Sequence, residues 1–83
     1  MPQITIYTTN ACPGCQQAKT FMQQNQIEYT EINVSDNLAK QQEMIILTKG
    51  HRQVPVIVIT TDSGQQEIVL GFDQTALKTA LGL

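Results

Sequence analysis

Apolar and polar positions alternate from Gln3 to Thr8, with Ile4, Ile6 and Thr8 on one side and Gln3, Thr5 and Tyr7 on the other. A period of two predicts a strand. The period then lengthens: in the run from Gln16 to Asn25, Ala18, Phe21 and Met22 recur at spacings of three and four and predict a helix with one buried stripe. Pro13 suits the first turn of that helix. Asn25-Gln26 interrupts the pattern, and Ile27 to Val34 predicts a second strand through Tyr29, Ile32 and Val34. Ser35-Asp36-Asn37 supplies N-cap candidates for a helix from Leu38 to Lys49, which Gly50 stops.

Val54-Pro55-Val56-Ile57-Val58-Ile59 is nearly continuous in apolar, β-branched residues. Such a run fits a central strand buried on both faces, with Pro55 at its start, where a missing N–H is tolerated. Asp62-Ser63-Gly64 is a turn signal, and Gln66 to Leu70 reads as the returning strand of a hairpin. Gly71-Phe72-Asp73 breaks it. Gln74 to Leu81 then predicts a helix with Ala76, Leu77, Ala80 and Leu81 inward and Asp73 as its cap. The order β-α-β-α-β-β-α implies an α/β fold with a four-stranded mixed sheet flanked by three helices.

Eighty-three residues suffice for one domain, taken as residues 1–83, with a modest core. Apolar residues make up 41% and charged residues 14%, which argues against disorder. The formal charge of −2, with Lys19, Lys40, Lys49, Arg52 and Lys78 scattered, gives no support to a nucleic-acid partner. No apolar run approaches the roughly 18–20 residues of a membrane span, and Met1-Pro2-Gln3 lacks the basic start of a signal peptide. No membrane association and a reducing, cytoplasmic compartment are therefore expected.

The two cysteines of the chain both lie in Cys12-Pro13-Gly14-Cys15, between the first strand and the first helix. Two thiols so spaced can close and reopen a small disulfide ring, and helix N-terminal amides favour a thiolate at the first. Cys12 is expected to be the more exposed, attacking sulfur and Cys15 the resolving one. Pro13 stiffens the turn, and Gly14 would let a substrate backbone approach. Two other readings stand beside this one. The cysteines could be inert core residues, or could hold a metal. Structural zinc takes four protein ligands, whereas Cys12, Cys15 and His51 are the only soft ones here. A metal or iron–sulfur module would thus need cysteines from two chains.

The order of strand, Cys-Pro-x-Cys at a helix start, Val54-Pro55 before a buried strand and Gly71-Phe72-Asp73 before a last helix resembles the glutaredoxin family over essentially the whole chain. The resemblance implies a thioredoxin-like fold and a cis peptide at Val54-Pro55 packed against the cysteines. It also implies that the Val54 backbone pairs with an extended substrate segment. Substrate contacts would come from Pro13, Gly14, Arg52, Gln53, Val54, Pro55, Gly71, Phe72 and Asp73. Arg52 is the charged residue expected to meet a partner. Lys19 shares a helical stripe with the cysteines and reads as solvated or as distant support for a thiolate.

Glutathione-dependent members tend to carry an aromatic residue before the second cysteine, Thr-Val-Pro, and Gly-Gly-x-Asp-Asp. Here Gly14, Gln53-Val54-Pro55 and Leu70-Gly71-Phe72-Asp73-Gln74 stand in those places. Gly50 to Val56 and Gly71-Phe72 are more similar to the NrdH-type redoxins, although their Trp-Ser-Gly-Phe is replaced by Val69-Leu70-Gly71-Phe72. That branch implies a monomer without bound cofactor that reduces a disulfide-bearing protein, ribonucleotide reductase being one candidate. Its electrons would come from NADPH through a flavoprotein disulfide reductase, thioredoxin reductase. The alternative within the family is a glutathione-dependent glutaredoxin.

Overall fold

The computed structural model describes residues 2–83. Its elements run β1 (Gln3–Thr8), α1 (Pro13–Gln24), β2 (Thr30–Asn33), α2 (Leu38–Leu47), β3 (Val56–Thr60), β4 (Gln66–Leu70) and α3 (Gln74–Leu81). The strands form one mixed sheet in the order β2-β1-β3-β4. β1 pairs parallel to β2 and antiparallel to β3, and β3 pairs antiparallel to β4. The crossover α1 between β1 and β2 and the tight hairpin between β3 and β4 are what those directions require.

The alternation read from β1 decides which helix lies on which face. Ile4 and Ile6, with Ile57, Ile59 and Val69 beside them, bury against Ala18, Phe21 and Met22 of α1 and Leu77 of α3. Tyr7, Val56 and Val58 point the other way, against Val34 and Met44 of α2. β3 carries four consecutive buried residues because a helix covers each face of the sheet. Thr8 is in phase with Ile4 and Ile6 and is wholly buried.

Three element boundaries differ from the sequence reading by two residues or more, each for a local reason. β2 begins at Thr30 rather than Ile27. The Ile27 amide donates to the Met22 carbonyl at 2.8 Å and the Gln26 amide to Gln23 at 3.1 Å, while Gln26 takes a left-handed φ of 56°. This wraps residues 25–27 around the end of α1 in a Schellman motif, so they cannot extend. The same device ends α2 at Leu47 rather than Lys49. Gly50 donates to Ile45 at 2.8 Å, Lys49 donates to Ile46 at 3.2 Å, and Lys49 has φ 60°. β3 starts at Val56, two residues later than expected, because Pro55 has no N–H to give the ladder, and the cis Val54-Pro55 peptide lies before it.

Candidate functional site

The site is assembled where β1 passes into α1. Cys12 is the N-cap of α1, in extended conformation, and Pro13 opens the first turn. The Cys15 amide donates to the Cys12 sulfur at 3.1 Å. An N-cap acceptor normally takes one of the unpaired amides of the first turn, and a sulfur in that place is stabilised as an anion by the amide and by the helix dipole. Cys12 is partly exposed and Cys15 is buried. The two sulfurs are joined in a disulfide with a Cα–Cα separation of 5.2 Å. Beneath them, Cys15 Sγ lies 4.0 Å from the Tyr7 carbonyl oxygen.

Two loops close on this turn. The buried Pro55, after its cis peptide, sits directly against Gly14, so that a Cβ built on Gly14 would lie 3.2 Å from the Pro55 Cδ. The missing side chain of Gly14 thus makes room for Pro55 itself, a neighbour the sequence reading did not assign to it. Gly71 donates its amide to the Pro55 carbonyl at 2.8 Å, tying the loop after β4 to the loop before β3. Gly71 has φ 76° and open space around its α-carbon, so a left-handed backbone, not close approach, is what requires glycine there.

Phe72 packs edge-on against Phe21 of α1, with ring centroids 6.1 Å apart. Asp73 caps α3, its carboxylate accepting from the Ala76 amide at 3.1 Å. Arg52 and Gln53 are exposed in the loop that leads to the half-buried Val54. The structure therefore brings Cys12, Gly14, Cys15, Pro55 and Gly71 together and sets Phe72 and Asp73 beside them.

Lys19 is not solvated alone but paired. Its ammonium lies 3.2 Å from Glu31 Oε2 on β2, and the same oxygen accepts from the Thr8 hydroxyl at 2.8 Å. The Thr8 hydroxyl, with the Lys19 charge assisting, holds the Glu31 carboxyl below its ordinary range against the opposing effect of burial. Sequence reasoning missed this network. Its one signal was a threonine standing in phase with two isoleucines, since a buried hydroxyl needs a partner. On the other face the Tyr7 hydroxyl donates to Glu43 at 2.9 Å. Burial first, then that hydrogen bond and the carboxylate charge, push the Tyr7 phenol up to about 12.

Among the described residues no group of three or more His, Cys, Asp or Glu is placed to hold a metal ion. None of the described helices is long and apolar enough to cross a membrane.

Known proteins are similar to this chain in sequence and in fold. A glutaredoxin-like 8.6 kDa protein of the rubredoxin operon of Clostridium pasteurianum is 32% identical over 74 residues, covering 89% of this chain and 91% of its own. The crystal structure of the thioredoxin-like protein BC3987 superposes with a TM-score of 0.77 at 28% identity, over 93% of this chain and 97% of that one. NrdH-redoxin from Escherichia coli, described as a glutaredoxin-like protein with a thioredoxin-like activity profile, gives 0.71 at 31% identity, over 93% and 92%. The glutaredoxin family model matches residues 4–63, a span that contains both cysteines and the cis-proline. The chain belongs to the glutaredoxin family, thiol–disulfide oxidoreductases with the fold of thioredoxin, and Cys12 and Cys15 are its redox-active pair.

Proposed function

We propose that this chain, acting as a single-domain monomer, reduces disulfides in protein partners and is itself re-reduced by a flavoprotein thioredoxin reductase drawing on NADPH. The observation that carries the reading is the unequal placement of the two sulfurs: Cys12 partly exposed at an N-cap, Cys15 buried behind it. The exposed sulfur, favoured as a thiolate by the Cys15 amide and the helix dipole, attacks one sulfur of the partner disulfide and displaces the other. Cys15 then attacks Cys12 in the mixed disulfide and releases the reduced partner. The chain gives up two electrons and ends as the Cys12–Cys15 disulfide.

Val54, beside the cis-proline, offers its backbone to an extended partner segment, and Arg52 and Gln53 meet its flanks. Glutathione binding is disfavoured by the residues at the rim. Gly14 supplies no aromatic wall, and its place is filled from behind by Pro55. Asp73 is engaged in capping α3. The similarity to a redoxin with a thioredoxin-like activity profile supports the same choice. Ribonucleotide reductase is one candidate substrate, and a reducing compartment such as the cytoplasm suits the role.

The test is disulfide reduction coupled to NADPH oxidation with two electron sources in parallel: thioredoxin reductase, and glutathione with glutathione reductase. Turnover with thioredoxin reductase alone is expected. Turnover with glutathione alone would move the chain to the glutathione-dependent branch.

A further inference from the structure

Across α1, β1, β2 and β3 there are only two charged side chains, Lys19 and Glu31, and they are paired with each other at 3.2 Å. That pair is connected to the buried cysteine by two routes. Along α1, Lys19 follows Cys15 by four residues, one turn away on the same face. Along β1, the Tyr7 carbonyl stands 4.0 Å from Cys15 Sγ, and the next residue, Thr8, donates to Glu31. Cys15, Tyr7–Thr8, Glu31 and Lys19 thus close a ring, with the wholly buried Thr8 holding Glu31 in place.

Reduction leaves two thiols three residues apart, and mutual repulsion lets one of them carry a negative charge at a time. The Cys15 amide, donating to the N-cap sulfur, draws that charge to Cys12. An unopposed ammonium one turn beyond Cys15 would draw it the other way. We propose that Glu31 and Lys19 are positioning residues for the resolving step: Glu31 cancels the field of Lys19 at Cys15, so that the buried sulfur stays protonated and the thiolate stays on Cys12. The reduced S–H is then free to point at the Tyr7 carbonyl. It gives up its proton only in the resolving attack. There the Cys15 sulfur bonds to Cys12, the Cys12–partner bond breaks, and the departing partner sulfur takes up a proton.

The other titratable groups nearby act elsewhere. The Tyr7 phenol lies on the opposite face with Glu43 and Lys40. Asp73 and Lys78 belong to the cap and the exposed side of α3. His51 and Arg52 lie in the loop before Val54, with Arg52 exposed.

This inference rests on the reading of Cys15 as the resolving sulfur, but its test does not require turnover. In a Cys12→Ser chain Cys15 is the sole thiol, and its ionisation is followed by thiolate ultraviolet absorbance as pH is raised. On that background Glu31→Gln, which keeps an acceptor for Thr8, is expected to raise the Cys15 ionisation constant about threefold to tenfold. Lys19→Gln is expected to lower it by a similar factor, and the double variant to return to within about twofold of the parent. Shifts of the same sign in both single variants, or no shift in either, would overturn the proposal. Should Glu31→Gln lose cooperative melting, Lys19→Gln decides alone: a rise or no change refutes it. Failure of the two-reductase assay would leave these titrations untouched, so the two readings fail separately.

Discussion

Gly14 and Pro55 occupy one another's space: a methyl group on the Gly14 α-carbon would sit 3.2 Å from the Pro55 Cδ. Gly14 is the second residue of α1, with no left-handed backbone to preserve. Alanine there should gain about 0.5–1 kcal/mol from reduced freedom of the unfolded chain. Against that stands a buried ring anchored by the hydrogen bond from Gly71, which cannot give way without disturbing β3. Overpacking of this kind costs about 1–3 kcal/mol. Gly14→Ala is therefore expected to lower the stability of the oxidised protein in urea by up to ~1–2 kcal/mol. A gain would show that Pro55 yields.

Thr8 and Glu31 link stability to acid. The hydroxyl of Thr8 is the largest cause holding the Glu31 carboxyl down, so the folded state favours the carboxylate. A depressed carboxyl contributes stability that is present above the ordinary value of 4.5 and is lost as pH falls through the lower folded value. Thr8→Val keeps the shape and removes the donor. It should cost about 1 kcal/mol at neutral pH and make the stability curve shallower below pH 4.5. Urea midpoints of the two proteins between neutral and acid pH measure both effects. A parallel acid limb would mean that Thr8 is not what holds Glu31.

Tyr7 sets the opposite limit. Its phenol is pushed from 10.0 up to about 12, chiefly by burial and then by Glu43, so the folded state holds the proton longer than the unfolded chain. That contribution is complete below pH 10 and disappears as pH rises toward 12. Tyr7→Phe is expected to be less stable at neutral pH, by about 1 kcal/mol for the lost hydrogen bond. The wild-type advantage should then shrink through the alkaline range, as chemical denaturation at successive pH values would show. A constant gap would contradict the assignment.

Periodicity made most of the fold legible, because α1 and β1 each bury one face and must repeat at 3.6 or 2 residues. Ala18, Phe21 and Met22 lie where their spacing put them, as do Ile4 and Ile6. The errors cluster at helix C-termini. Glycine is the usual left-handed residue there, yet α1 and α2 turn on Gln26 and Lys49, which carry no composition signal. At the site the cysteine pair was legible because chemistry demands both thiols in one turn. The Lys19–Glu31–Thr8 network was not, because β2 and α1 meet only after the crossover brings residues 19 and 31 together. Gly14 was singled out for its missing side chain, but the neighbour that fills the space, Pro55, is forty-one residues away in the chain.

Asp73 shows how a conspicuous carboxylate beside a redox turn can be structural. It accepts from the Ala76 amide at 3.1 Å and opens α3, whose Leu77 is wholly buried in the core shared with α1. Asp73→Ala should cost about 0.5–2 kcal/mol of stability. The reactivity of reduced Cys12 toward a small alkylating reagent should change less than about twofold, because the Asp73 carboxylate is engaged by the Ala76 amide. Asp73→Asn, which still accepts a hydrogen bond, should recover most of the stability. Loss of thiol reactivity with stability intact would instead make Asp73 part of the chemistry.

Cys15→Ser separates the two steps of exchange. The serine fits the buried position of Cys15, and its amide still reaches the Cys12 sulfur, so attack on a partner disulfide is retained. Resolution is lost, because the serine hydroxyl is not acidic enough to displace a thiolate from Cys12. Incubated with an oxidised protein substrate, the variant is expected to accumulate a mixed disulfide through Cys12, visible as a mass increase that a strong reductant removes. Cys12→Ser should form no such adduct, since the remaining thiol is buried. An adduct in the Cys12→Ser chain, with none in Cys15→Ser, would reverse the roles of the two sulfurs while leaving the dithiol chemistry in place.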